Sequence, residues 1–276
     1  MFSEDKELEA IQKRCLGIFQ VFQDLCKKNN LRYYISGGTL LGCIRHGGFI
    51  PWDNDMDIAM PREDYEKLIT IANNNLPERY RLMHYSFCDN DESPLTHHVQ
   101  IVDTQTVLLK LWTLKQREIS IWIDIFPLDG LPGNAVKRKL HILHGRFWWL
   151  ILQIAWFKDN VDIKKERPFF ERIAVSIIRH MPGASNKTIL QIMKHYDAVA
   201  KKYPFVTSEK IYSFHGIYGS KEMLHRKWYE TGTEVIFEDI PCNAPLAYDE
   251  ILKHYYGNYQ NIKVQKDKHL FSVVRL

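Results

Sequence analysis

The sequence predicts an α+β fold: a mixed β-sheet core flanked by helices and carrying a helical insert. Three observations predict it. Short stretches of strand-like alternation recur near residues 31–35, 55–60, 97–112 and 119–126. A long amphipathic stretch opens the chain, and a tryptophan-rich stretch with helical spacing fills the region from Lys137 to about Tyr203.

In residues 3 to 29, Leu8, Ile11, Cys15, Ile18, Phe19, Phe22, Leu25 and Cys26 recur every three or four positions, which predicts one helix with a buried face. Ser3 suits its N-cap, the acids Glu4, Asp5 and Glu7 suit the positive end of its dipole, and Asn29-Asn30 ends it. Leu31 to Ile35 reads as the first strand, and Leu40 to Ile44 as a short helix or turn after Ser36-Gly37-Gly38-Thr39. From Asp55 on, acids and small residues hold odd positions while Met56, Ile58 and Met60 hold even ones, the pattern of a half-buried strand. Pro61 suits the first position of a following helix through Ala72. Residues 97 to 112 alternate loosely, and the strand at 119–126 is expected to close the sheet. Pro168, Pro182 and Gly183 break the helical region, a strand is expected at Thr233 to Phe237 and a helix at Tyr248 to Tyr255.

Composition sets limits. In 276 residues, 45% are hydrophobic and 25% charged, which excludes a disordered chain. A net charge of +4 fits anionic substrates or lipid headgroups but is too weak, and too unpatterned, for a nucleic-acid partner. Five scattered cysteines show no zinc spacing and read as reduced thiols. The charged segment Met1 to Lys13 does not read as a secretory signal, so the expected location is cytoplasmic. The apolar run Phe147 to Phe157 is too short to span a bilayer, which needs ~20 helical residues. With Lys137, Arg138, Lys139, Lys158, Lys164 and Lys165 around it, it is either a buried helix of the insert or a peripheral contact at the inner face of the cytoplasmic membrane.

The chemistry concentrates in Pro51-Trp52-Asp53-Asn54-Asp55-Met56-Asp57. On one strand face, Asp55 and Asp57 would stand about 6.5–7 Å apart between Cα atoms. Their charges would repel by about 2–2.5 kcal/mol at an effective dielectric of 20. A hard divalent cation, Mg²⁺ or Mn²⁺, relieves that repulsion. Asp124 lies alone in the apolar run Ile119 to Phe126, where an unpaired carboxylate is costly, so it needs a metal or an arginine. An EF-hand reading of Asp53, Asp55 and Asp57 fails, because Ile58 and Asp64 stand where that loop needs Gly and Glu. The Gly37-Gly38 pair, with Ser36 and Thr39, lets backbone approach a phosphate. Arg45 is a second phosphate candidate, beside His46, with pairing to Glu63 or Asp64 as its other reading. Trp52 can stack on a base or an alkylammonium or pack in the core.

This order of motifs resembles the nucleotidyltransferase superfamily. Gly37 to Leu41, the block Arg45 to Tyr65 and Ile123-Asp124-Ile125-Phe126-Pro127-Leu128-Asp129-Gly130 are similar to the LicD family of phosphocholine transferases, whose relatives include the fukutin-type ribitol-phosphate transferases. Phe237-Glu238, Tyr248-Asp249 and Tyr256 to Tyr259 form a weaker third match. Two departures stand out: Gln100 and Val102 where the family often has a basic residue, and no proline in Ile262 to Lys268.

The resemblance implies a nucleotidyltransferase-like catalytic core in residues 1–133, a helical, tryptophan-rich insert facing membrane or acceptor in 134–210, and a C-terminal segment packing back on the core in 211–276. It implies metal ligation and catalysis by Asp55, Asp57 and Asp124, with Asp124 also a candidate base. Substrate contacts fall to Ser36, Gly37, Gly38, Thr39, Arg45, His46, Trp52 and Asp53. The donor is expected to be CDP-choline. The acceptor is expected to be a glycan or lipid-linked glycan such as a teichoic acid or lipopolysaccharide precursor, and CMP is released. Tyr248, Tyr255, Tyr256 and Tyr259 are candidates for an aromatic cage around choline. The alternatives are another CDP-linked polyol such as CDP-ribitol, a nucleotidyltransferase using a nucleoside triphosphate, and a membrane-associated subunit that only binds.

Overall fold

A computed structural model of the protein describes residues 4–89, 96–110, 117–157, 168, 172, 175–176, 183–261 and 271–275. The expected cap Ser3, the basic residues Lys158, Lys164 and Lys165, and the segment Ile262 to Lys268 lie outside the described residues.

The fold is α+β, as the sequence predicts. Helix α1 (Glu4–Lys28) leads, followed by β1 (Tyr34–Ile35), α2 (Gly37–His46), β2 (Asp57–Pro61), α3 (Arg62–Asn75), β3 (Tyr80–Met83), β4 (Val99–Lys110) and β5 (Arg117–Gly130). Then come α4 (Ala135–Ala155) and α5 (Asn186–Ala200), β6 (Lys210–Tyr212), β7 (Met223–His225), β8 (Gly232–Phe237), β9 (Ile240–Pro245), α6 (Tyr248–Tyr256) and β10 (Phe271–Arg275).

The main sheet runs β1-β2-β5-β4-β10, with β3 also on β4 and with β6 and β7 extending from the end of β5. It is mixed: β2 and β5 are parallel, and the other pairs are antiparallel. The Asp124 strand does not close the sheet, as its sequence position suggested. It lies between β2 and β4, which accounts for the isoleucines on its covered face: Ile121, Ile123 and Ile125 are all buried.

α1 covers that face with Ile18, Phe19, Phe22 and Leu25, which join the same core as Ile58, Ile101 and Ile123. It ends where Asn30 turns left-handed at φ 52° and the Leu31 N–H returns to the Cys26 carbonyl. A second core lies between α4 and α5, where Leu152 and Trp156 meet Ile189, Leu190, Met193 and Tyr196, with Tyr212 and Phe214 closing it.

One buried ion network joins these layers. The Arg62 guanidinium donates in bidentate fashion to Asp129 at 2.6 and 3.0 Å and also reaches Asp197 of α5 at 2.9 Å. Asp197 accepts further from Tyr85 at 2.8 Å and Lys201 at 2.9 Å. All five cysteines are thiols, and four are buried.

Candidate active site

Asp57 and Asp124 occupy partner positions on the parallel strands β2 and β5. Parallel neighbours lie ~4.8 Å apart and point to the same face of a sheet. The β2 strand begins at Asp57, not at Asp55. Asp55 lies in the irregular segment just before it, so the shared strand face expected for this pair is not what brings them together. The backbone does so instead: the Asp124 N–H donates to the Met56 carbonyl at 2.8 Å, pinning the segment between the two acids against β5. One carboxylate oxygen from each of Asp55, Asp57 and Asp124 lies within 4.8 Å of the other two.

The glycine pair sits at the start of α2 rather than in a free turn. Gly37 has φ +52°, and a Cβ there would stand 2.5 Å from the Asp57 Oδ2; at Gly38 it would stand 2.8 Å from the Asp53 Oδ2. The absent side chains therefore admit carboxylates, and the Gly38 N–H donates to Asp57 at 3.3 Å. The positive end of the α2 dipole faces the acid cluster. Two of the expected phosphate contacts are engaged with Asp57. The Gly38 N–H is engaged with Asp57, and the buried Thr39 hydroxyl accepts from the Asp57 N–H at 2.8 Å. Ser36 caps α2 in extended conformation and donates its N–H to the Asp57 carbonyl at 2.9 Å, while its side chain meets the Tyr229 phenol.

Arg45 and His46 stand in the last turn of α2. That is about 12 Å along the helix axis from the glycines, so the structure does not place them between the glycines and the acids. They lie instead by the β8–β9 hairpin, where Glu238 donates its N–H to the Gly47 carbonyl and accepts from the Phe49 N–H. Asp64, a candidate partner for Arg45, pairs with Arg32 at 2.7 Å. Trp52 is half-buried against the main core. Asp53 is held by its own backbone, through Ile50 and Gln12, and its side chain hydrogen-bonds Asp55.

Electrostatics separates the three acids. Burial, then repulsion from Asp57, Asp53 and Asp124, pushes Asp55 well above the ordinary carboxylate range. Burial, then Asp124 and Asp53, pushes Asp57 up to about 8, against the Gly38 hydrogen bond. Burial also favours the neutral form of Asp124, but the opposing contacts win and hold it below the ordinary value. These are His98 at 2.6 Å, Gln100 at 2.8 Å and the Trp122 indole at 2.8 Å. Asp124 is thus held toward its anionic form.

His98 and Trp122 were not singled out from the sequence, and Gln100 only as a departure. The available signal was the alternation of β4. Gln100 is the register partner of Asp124, and His98 reaches Asp124 from the bend just before β4. Of the four C-terminal tyrosines, Tyr255 and Tyr256 have their rings in contact, with centroids 6.1 Å apart. Tyr259 bonds Asp249 at 2.8 Å, Tyr255 bonds Glu222 at 3.2 Å and Tyr256 bonds Tyr218 at 2.5 Å.

The donor set fits a hard divalent cation. Every ligand is a carboxylate oxygen, and the spread of 4.8 Å needs only small rotations to enclose an ion with Mg²⁺–O distances of ~2.1 Å. Two of the three acids, Asp55 and Asp57, are driven toward the neutral form in the protein alone, so a cation would relieve that cost.

Residues 30–142 match the family described as LicD/FKTN/FKRP, nucleotidyltransferase domain. Lipopolysaccharide cholinephosphotransferase LicD of Haemophilus influenzae is 25% identical over 95% of this chain and 94% of its own. Ribitol 5-phosphate transferase FKRP of Homo sapiens is 53% identical over 34 residues, 12% of this chain and 7% of its own. Mannosyltransferase regulator 4 of Saccharomyces cerevisiae is 35% identical over 68 residues, 25% of this chain and 6% of its own.

Proposed function

We propose, for a chain whose residues 30–142 form a LicD-family domain, that it transfers a phosphorylated alcohol to a sugar hydroxyl in the synthesis of a cell-envelope glycan. The finer reading is phosphocholine moved from CDP-choline, with CMP released, to a lipopolysaccharide or teichoic acid precursor. The observation that carries it is the convergence of Asp55, Asp57 and Asp124 within 4.8 Å. The choline and the lipopolysaccharide rest on the Haemophilus influenzae relative, which aligns along almost the whole chain.

In this reading Asp55, Asp57 and Asp124 hold Mg²⁺ or Mn²⁺, which when bound neutralises diphosphate charge and stabilises the departing CMP. Asp124 serves as the fixed anion of the set, locked by His98, Gln100 and Trp122. Asp57 is positioned from three sides by Ser36, Gly38 and Thr39. That rigidity aligns the donor phosphorus for in-line attack by the acceptor hydroxyl. Asp53, hydrogen-bonded to Asp55 and close to Gly38, sets the rotamer of its neighbour. The remaining expected contacts, Arg45 and His46, would reach a substrate only through its extended part.

The test is incubation of the protein with Mg²⁺, CDP-choline and a glycan acceptor. CMP release that stops with EDTA and returns with Mg²⁺ or Mn²⁺ is the expected result. Consumption of CDP-ribitol alone would move the reading to the ribitol transferases, and release of pyrophosphate from a nucleoside triphosphate would replace it.

A further inference from the structure

We propose that α4 is a membrane-interface helix that seats the protein on an anionic lipid surface. The sequence leaves this region as either a buried helix or a membrane contact; the structure shows a helix with one buried face and one exposed apolar face. Val136, Leu140, Leu143, Phe147, Leu150 and Ile154 are all between 38 and 68% exposed. Their spacing alternates four and three residues, which lines them along one side of a rod about 31 Å long. The other side is already covered by the chain itself through His141, Gly145 and Leu152, which are buried.

Charge selects the occupant. From Asn134 to Phe157 there is no aspartate or glutamate, while Lys137, Arg138, Lys139 and Arg146 are present. Arg138 is spent on the carbonyls of Pro132 and Gly133. By helical geometry Lys137 flanks the apolar stripe on one side, and Lys139 and Arg146 flank it on the other. A second copy of the chain, packed stripe to stripe, would bring cation against cation, without the complementary charges that coiled-coil flanks use. Anionic headgroups meet both the stripe and its flanks. The helix lies on the surface and does not cross it, since no helix among the described residues is long and apolar enough to cross a membrane.

The location is apt for a lipid-linked acceptor. The Arg146 guanidinium lies beside Gly219, next in sequence to Tyr218, whose phenol is pushed up by burial first and, less, by Asp57 and Asp53.

The experiment is co-sedimentation of the full-length protein with two vesicle types, one of phosphatidylcholine alone and one with about 30 mol% phosphatidylglycerol added. Three variants are compared with the parent: Leu140→Glu/Phe147→Glu in the stripe, Lys137→Glu/Lys139→Glu on its flanks, and Ile217→Glu as a control, because Ile217 is 86% exposed outside the helix. Far-UV circular dichroism checks folding, and size exclusion checks oligomeric state. The expected result is binding to the anionic vesicles that weakens in about 0.5 M salt. It should fall at least ~10-fold in the stripe and flank variants and stay unchanged in the control. The proposal is overturned if the parent binds neither vesicle, if the stripe variant binds as well as the parent, or if the parent is a dimer that the stripe variant converts to monomer. No turnover is needed for this readout, so its outcome is separate from that of the phosphotransfer reading.

Discussion

Asp57 and Asp124 are register partners across the only parallel pairing in the main sheet among the described residues. Their side chains leave the same face, yet their protonation tendencies diverge, one held up near 8 and the other held down. Replacing Asp57 with Asn should lower CMP release by ~10³-fold or more, with far-UV circular dichroism unchanged. A variant that keeps full turnover would remove Asp57 from the reaction.

The same divergence makes stability depend on pH. Above about pH 4 the unfolded chain releases the Asp57 proton, while the folded chain keeps it until about 8. The folded state then binds more protons, so this group's contribution to stability falls as pH rises through that window. In EDTA, the melting temperature of Asp57→Asn should gain on that of the parent from pH 5 to pH 8, and Mg²⁺ should reverse the order. A gap independent of pH would show that Asp57 is already ionised.

Gly37 combines a left-handed backbone with an Asp57 oxygen where its Cβ would be. Gly37→Ala should cost about 1–3 kcal/mol in backbone strain. It should also displace the Asp57 carboxylate, raising the Mg²⁺ concentration needed for half-maximal activity. Unchanged metal dependence in urea-stable protein would contradict the close approach.

Asp124 depends on donors from Trp122 of β5, Gln100 of β4 and His98 just before β4. Trp122→Phe removes the indole N–H that reaches Oδ2 and leaves a buried carboxylate oxygen short of a partner, at a cost of about 1–3 kcal/mol. Turnover should drop while KM for the donor changes little, as expected of a residue that positions a ligand. A rise in KM alone would place Trp122 at the substrate instead.

Arg62 joins two buried acids, Asp129 and Asp197. Arg62→Met should destabilise the fold by about 3–5 kcal/mol, because both carboxylates lose their counter-charge. Chemical denaturation measures this directly, and a loss below about 1 kcal/mol would mean that water or Lys201 takes over.

Much of this was legible in the sequence where periodicity carries the information. The long first helix, the β5 isoleucines, the strand at Thr233 to Phe237 and the helix at Tyr248 follow from apolar spacing, and the structure has them within a few residues. What spacing does not carry is strand order and the reach of side chains between elements. The acid strand was expected at the edge and is central, because pairing order is set by long-range contacts. Arg45 was expected near the acids because it lies between two motifs in sequence, but α2 carries it a helix length away. That Gly37 and Gly38 leave room for the Asp57 and Asp53 carboxylates is a contact between elements that spacing does not carry.

The Arg62 network reaches from the start of α3 through the end of β5 to a helix beyond residue 185. Excising the stretch around α4 and α5 to obtain a smaller protein would remove Asp197 and uncover the Arg62–Asp129 pair. It would also expose Tyr85, Tyr212 and Phe214, which pack against those helices, so a shortened version should aggregate unless these positions are made polar. Natural sequences that vary the length of this region are expected to do so between α4 and α5 while preserving the residue that meets Arg62.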